Sequence, residues 1–233
     1  MWSRQSLKVN AKALLKVNYW KAVVASLVLA FCTNGMAVSS YNSVSDNTDG
    51  QAMLDEIGTV DPEVLLAGIL LILAVVAIGW LIAALLSLFI GHPLEIGAQK
   101  LLVNCRYGRA EFGNIVYFFR DSYLNTVKTL FLRWLYITLW SLLFVIPGII
   151  KSYSYRMVPY LIAENPHMSS QEAFDLSKKM MDGNKWNAFV LDLSFLGWHI
   201  LGALTIGIVE IFYAAPYHNL ANAELYHQLK QSY

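Results

Sequence analysis

Twenty-seven consecutive residues, 64–90, carry no charged side chain, and a helix needs only about 20 apolar residues to cross the hydrocarbon core of a bilayer. This run constrains the chain more than any other feature. It predicts a membrane helix, and the composition agrees: 57% of the 233 residues are hydrophobic, only 14% are charged, and the mean hydropathy is +0.47. A water-soluble domain of this size has no use for so much apolar surface.

The charges are segregated. Arg4, Lys8, Lys12, Lys16 and Lys21 precede the first apolar stretch, and no further Lys or Arg occurs before Lys100. Residues 46–63 hold six acids and no base. By the positive-inside rule the N-terminus is cytoplasmic and this acidic loop lies outside. A secretory signal is the alternative for the start, since a basic region, an apolar stretch and small residues follow in order. The patterned helix before the apolar stretch and the bulk of Phe31 ahead of Cys32 favour an uncleaved first span. Cys32 and Cys105 fall on different segments, so the two thiols make no disulfide framework.

Aligning Asn18, Asn125 and Asn184 gives three units, each opening an apolar span. Fifteen residues upstream of each Asn, Ser3, Ala110 and Ser169 open helix-like segments. The later units break near Pro147-Gly148 and near Thr205-Ile206-Gly207, and the three returns contain Pro93-Leu94, Pro159-Tyr160 and Pro216-Tyr217. The expected fold is therefore all-α: one polytopic transmembrane helical bundle over 1–233, built of three pseudo-repeated hairpins (3–105, 110–166 and 169–230) with amphipathic interfacial helices. About six membrane helices follow, at 20–40, 64–90, 124–146, 148–163, 186–204 and 207–226, with both termini cytoplasmic. The fourth is short and contains Lys151 and Arg156, so a re-entrant or tilted helix is an alternative there.

Arg4, Lys8, Lys12 and Lys16 recur every fourth residue while Leu7, Ala11, Leu14 and Leu15 take another face, as on a helix contacting an anionic inner leaflet. Membrane lipids, not nucleic acid, are the expected partner. Ser169 and Glu172 read as a capping box for a helix carrying Ala173, Phe174, Ser177, Met180 and Met181 and ending near Gly183. Such helices can simply brace the bundle, and the aromatics suit interfacial belts and packing.

Chemistry-bearing motifs are scarce. There is no phosphate-binding glycine loop, zinc-protease signature, nucleophile elbow or CxxC pair, and the five histidines lack metal-ligand spacing. The residues give no catalytic set, no metal site and no cofactor. His218, Asn219 and Asn222 could line a polar site, with interfacial or helix-contact roles as the simpler alternative. Ionisable groups inside spans are costly and so informative: Arg133, Asp192, Lys151, Arg156 and Glu210 form the candidate intramembrane polar site. Arg133 and Asp192 each lie eight residues after an aligned Asn, so a facing pair at one depth is expected. Lys151 and Glu210 each lie three residues after Gly148 or Gly207, suggesting a second pair, with Glu224 as an interfacial acid for comparison.

Together NYWKAV near the start, IPGII from Ile146, YSY before Arg156, ENP at Glu164, SKKMMDGNKW, SFLGW from Ser194 and PY at Pro216 resemble an uncharacterised bacterial membrane family, the domain of unknown function numbered 975. A looser resemblance runs to the membrane domain joined to glycerophosphodiester phosphodiesterases. The first implies a bacterial integral membrane protein without assigned activity, and the second hints at lipid-related work. The leading expectation is non-enzymatic handling of, or response to, lipids or small amphiphilic molecules in the cell membrane. A small transporter or channel is the alternative, and a lipid-modifying membrane enzyme a third. Oligomeric state is open.

Overall fold

The computed structural model describes residues 2–34, 62–119 and 122–232. Most of the acidic stretch lies outside the described residues. Among those described, all regular structure is helical.

Helix α1 (Arg4–Val17) starts at an Ser3 cap whose hydroxyl accepts from the Ser6 N–H. Its Leu7, Ala11 and Leu15 are buried, against the C-terminal helix α11 (Ala215–Gln231). Burying each leucine contributes about 1.5–3 kcal/mol. The apolar face of this basic helix thus packs on protein, leaving Arg4, Lys12 and Lys16 exposed. At Asn18 the chain bends by 107° into α2 (Tyr19–Asn34).

Helix α3 (Pro62–Leu86) has no buried described residue and runs through a wide π-turn, Ser87–Gly91, into α4 (His92–Cys105). Helix α4 is the hub, touching α2, α11, α7 (Val158–Glu164) and the 3₁₀ turn Phe112–Ile115. That turn crosses directly over Gly97, where a Cβ would meet the Ile115 carbonyl oxygen at 2.1 Å. Only a glycine admits the crossing.

Helix α5 (Tyr123–Leu143) turns at Phe144 into α6 (Val145–Ser154), with Gly148 so close to α5 that a Cβ would lie 2.2 Å from Ser141 Oγ. The break falls a little before the expected Pro147-Gly148. The segment 148–163, expected as one membrane helix, divides between α6 and α7, because Pro159 lacks the N–H that would continue the ladder and the chain unwinds over 155–157. At 10 residues, about 15 Å, α6 cannot cross a bilayer alone.

Helix α8 (Ser170–Met181) begins at the expected cap, Ser169 Oγ accepting from the Glu172 N–H, and buries the five expected residues. Ser3 and Ser169 thus open helices, whereas Ala110 leads only into 3₁₀ turns. Helices α9 (Lys185–Leu193) and α10 (Leu196–Leu204) rise to a turn at 205–207 and return through a second π-turn, Glu210–Ala214, into α11.

The two π-turns share one register. The N–H preceding the proline bonds six residues before that proline, His92 to Ser87 and Ala215 to Glu210. Each proline also leaves the carbonyl four residues before it without its helical donor. Tyrosine hydroxyls take both vacancies: Tyr123 donates to the Phe89 carbonyl at 2.8 Å and Tyr19 to the Phe212 carbonyl at 3.0 Å.

Two helices, Leu66–Cys105 and Lys185–Leu204, are long and apolar enough to cross a membrane, and the bent α1–α2 pair is a third if counted as one span. The packed core lies among α1, α4, α7, α8 and α11, while the far ends of the hairpins present apolar side chains outward.

Candidate functional site

Where α6, α9 and α11 meet, the Arg156, Tyr153 and His218 side chains close on Asp192. Arg156 grips it with both terminal nitrogens, Nη1 to Oδ2 and Nη2 to Oδ1, each at 2.6 Å. Tyr153 donates its hydroxyl to Oδ2 at 2.8 Å, and His218 Nε2 lies 3.0 Å from Oδ1. Arg156 Nη2 also donates to Asn222 Oδ1 at 2.7 Å. The two charged side chains are 16% and 26% exposed, so fixed donors replace most of their water. A carboxylate satisfied this fully is a poor nucleophile or metal ligand and a strong clamp.

The cluster continues outward. The His218 ring stacks on Phe195 with centroids 4.6 Å apart and lies 5.4 Å from the His199 ring. His199 Nδ1 sits 2.9 Å from Glu210 Oε2, a pair about one-third exposed on each side. From Asn222 to Glu210 the structure thus holds a file of titratable and polar groups, saturated at its inner end and open at its outer end.

Several sequence expectations are redistributed. Arg133 does not face Asp192; its Nη1 lies 3.4 Å from Glu95 on α4, and its buried Nε has no partner. Lys151 does not reach Glu210 and instead lies over the Trp140 ring, 4.9 Å from its centroid. Glu224 is no interfacial acid: it is 1% exposed and paired with Arg106 at 2.6 Å. Register along a helix fixes height but not the side on which a side chain emerges, so equal depth did not make partners. Tyr160, buried between the two clusters beside Gln99, lies within electrostatic reach of Arg156, Arg133 and Glu95.

Of the N-terminal basic residues, Lys8 is anchored: its Nζ donates to the Ser194 carbonyl at 3.3 Å and lies 4.7 Å from the centre of the Phe195 ring. Glu95 and Tyr153 were not among the expected site residues; Tyr153 stands in the YSY motif before Arg156 and Glu95 in none, and only the fold brings them to their partners. His218 and Asn222 were in view as a polar pair, and they meet at Asp192 and Arg156.

Two clefts open at the bases of the hairpins. One, of about 650 Å³, is lined by Lys128, Tyr136, Tyr155, Ser169, Phe174 and Lys178. The other, of about 600 Å³, is lined by Trp2, Ser3, Arg4, Lys8, Asn187 and Ser194. Each places a serine-capped helix start, basic side chains and aromatic surface beside the foot of an apolar hairpin. Lys178 is shared with Asp175 at 2.9 Å. Among the described residues no three His, Cys, Asp or Glu side chains converge as metal ligands.

A family model described as a protein of unknown function (DUF975) matches residues 112–233. No curated protein and no solved structure matches the chain.

Proposed function

Because the chain belongs to the DUF975 family of unknown function, it inherits no assigned activity, and we propose from its own residues that it is a non-enzymatic integral membrane protein that binds anionic lipids or similar amphiphiles. The two basic, aromatic-lined clefts at the feet of apolar hairpins carry this reading. A lipid needs cations for its phosphate, with a donor-rich helix start as a supplement, and apolar surface alongside for its chains. The exposed apolar ends of α3, α5–α6 and α10 supply that surface.

The same proposal takes the chain as three pseudo-repeated hairpins, about six helical arms that enter a bacterial cell membrane to different depths, both termini cytoplasmic. The matching π-turns before Pro93 and Pro216 support the repeat. So do Asn18 and Asn125, which bond carbonyls after or at the ends of their own return helices, Cys105 and Pro166. The residue eight places after each aligned Asn also finds a polar partner on the returning segment of the preceding unit in a cyclic order. Arg133 meets Glu95 of the first, Asp192 meets Arg156 of the second, and Ser26 accepts from Asn219 of the third at 2.9 Å. Basic residues on α1 and the acids at 46–63 support the topology.

Native mass spectrometry of protein extracted in mild detergent tests the function. Phosphatidylglycerol or cardiolipin should remain bound to the parent chain. Each Lys or Arg near a lipid surface contributes about 1 kcal/mol, about fivefold in affinity, so Lys128→Ala/Lys178→Ala and Arg4→Ala/Lys8→Ala should each cut retention at least fivefold. Unchanged retention in both would remove the clefts as sites. The His199–Glu210 end of the polar file favours a transporter as the second reading, and proton-coupled uptake lost in Glu210→Gln would select it.

A further inference from the structure

The three hairpins differ in reach. Helix α3 alone has 25 residues, about 38 Å at 1.5 Å per residue, enough for a core of about 30 Å. The third hairpin is anchored at its foot by α1, whose Lys8 bonds the Ser194 carbonyl and whose Arg4 shares a cleft with Ser194. That basic helix marks the headgroup level. From Ser194 to the turn at Ile206 is 12 residues, about 18 Å. On the second hairpin α8 marks the level, with Phe174 edge-on to Tyr136 and Tyr155 at centroid distances of 5.4 and 5.0 Å. From Tyr136 to the turn at Phe144 is eight residues, about 12 Å. Counted from these levels neither turn reaches the far side, although Lys185–Leu204 as a whole is long and apolar enough to cross.

Both turns are also built for hydrocarbon. Leu142, Leu143, Phe144, Val145 and Ile146 are exposed at one tip, Leu204, Ile206 and Ile208 at the other. A turn leaving the membrane would present polar side chains. Turns within lipid must instead close their own hydrogen bonds. At the third hairpin Gly207 N–H bonds the Gly202 carbonyl at 2.9 Å, Ile208 N–H the Thr205 carbonyl and Ile211 N–H the Gly207 carbonyl. The Thr205 hydroxyl accepts from Val209 N–H and donates back to the Leu201 carbonyl. At the second, Phe144 N–H bonds Trp140, Gly148 N–H bonds Phe144, and Pro147 has no N–H to satisfy. Ile206, 95% exposed, holds φ at 53°, where a β-branched residue is strained. In water a glycine or asparagine would suit that place better.

We infer that the α5–α6 and α10–α11 hairpins are re-entrant wedges that enter the cytoplasmic leaflet and turn within it, so that their partner is the acyl chains of one leaflet and only the first hairpin crosses. The inference rests on the membrane reading given above. It makes the protein a body that occupies more area in one leaflet than in the other.

Single cysteines test it, at Phe144 and Ile206 in the full chain with Cys32 and Cys105 replaced by alanine, in vesicles of phosphatidylethanolamine and phosphatidylglycerol. Ser45→Cys and Ser232→Cys report the two aqueous sides to an impermeant maleimide. Both tips are exposed on the protein, so any shielding comes from outside the chain, and the nitroxides identify it as lipid. Neither should react from either side in intact or opened vesicles, both should react fully after detergent denaturation, and a fluorophore at each should be quenched most by nitroxides deep in the acyl chains. Reaction from the Ser45 side means that the hairpin crosses and overturns the inference while leaving the membrane reading standing. Reaction from the Ser232 side, or quenching only by headgroup nitroxides, places the tips outside the hydrocarbon. Protein recovered free of vesicles overturns the membrane reading itself.

Discussion

Removing Arg156 and removing Asp192 should have unequal costs, and removing both should cost less than their sum. Truncating one partner of a buried ion pair costs about 3–5 kcal/mol, because the other charge is left uncompensated. In Arg156→Met the carboxylate keeps Tyr153 and His218, which places the loss near the lower end, about 3 kcal/mol. In Asp192→Leu the guanidinium keeps the neutral Asn222 and the Tyr153 ring but no carboxylate, so the loss lies nearer the upper end, about 5 kcal/mol. The double variant leaves no orphan charge, and its loss should fall short of the sum by about 1–3 kcal/mol, the range for residues in one network. Thermal unfolding in mild detergent reads this directly, since 1 kcal/mol moves Tm by about 2–4 °C in a chain of this size. Arg156→Met should therefore melt about 6–12 °C lower than the parent chain. Losses adding to within about 0.5 kcal/mol would show that the two side chains do not depend on one another, and the clamp would be refuted.

Gly97→Ala should destabilise by about 1–3 kcal/mol, since its methyl would press on the Ile115 carbonyl oxygen; Gly113→Ala, with no atom within 4 Å, is the control, and equal Tm values would refute the close crossing. Burial is the main cause holding the His227 imidazole below its ordinary pKa near 6.5, against the raising effects of the Val103 carbonyl and Glu224. As pH falls below about 6.5 the unfolded chain takes up this proton before the folded one, so His227 should lower stability progressively until the folded imidazole also titrates. His227→Gln should flatten that part of the pH–Tm curve, and parallel curves would count against a buried neutral histidine.

What could be read from sequence was what short windows determine. The Ser169 cap, the buried face of α8, the apolar length of α3 and the break at Thr205-Gly207 depend on neighbours within a turn or two. The pairings depend on more. Asp192 found Arg156 and His218 because helices converge from three parts of the chain, and a shared offset from an Asn specifies height, not direction. Glu224 looked interfacial because α11 carries polar residues around it; it is buried because α1 returns from the other end of the chain to cover it. The basic face of α1 was legible, but that its apolar face is taken by α11 was not, since an amphipathic stripe is the same whether lipid or protein receives it.

The two π-turns look alike, yet an added residue in a helix rotates everything beyond it by about 100°, and the two hairpins would feel such a rotation very differently. Beyond Ser87–Gly91 lies α3, apolar around its whole circumference, so turning it changes nothing that a surrounding solvent could distinguish. The turn Glu210–Ala214 instead begins with Glu210, whose contact with His199 and close approach to Gly202 fix one azimuth. Losing a residue from the first turn would be nearly silent, and losing one from the second would unlatch the hairpin. The first is a swivel and the second is a key.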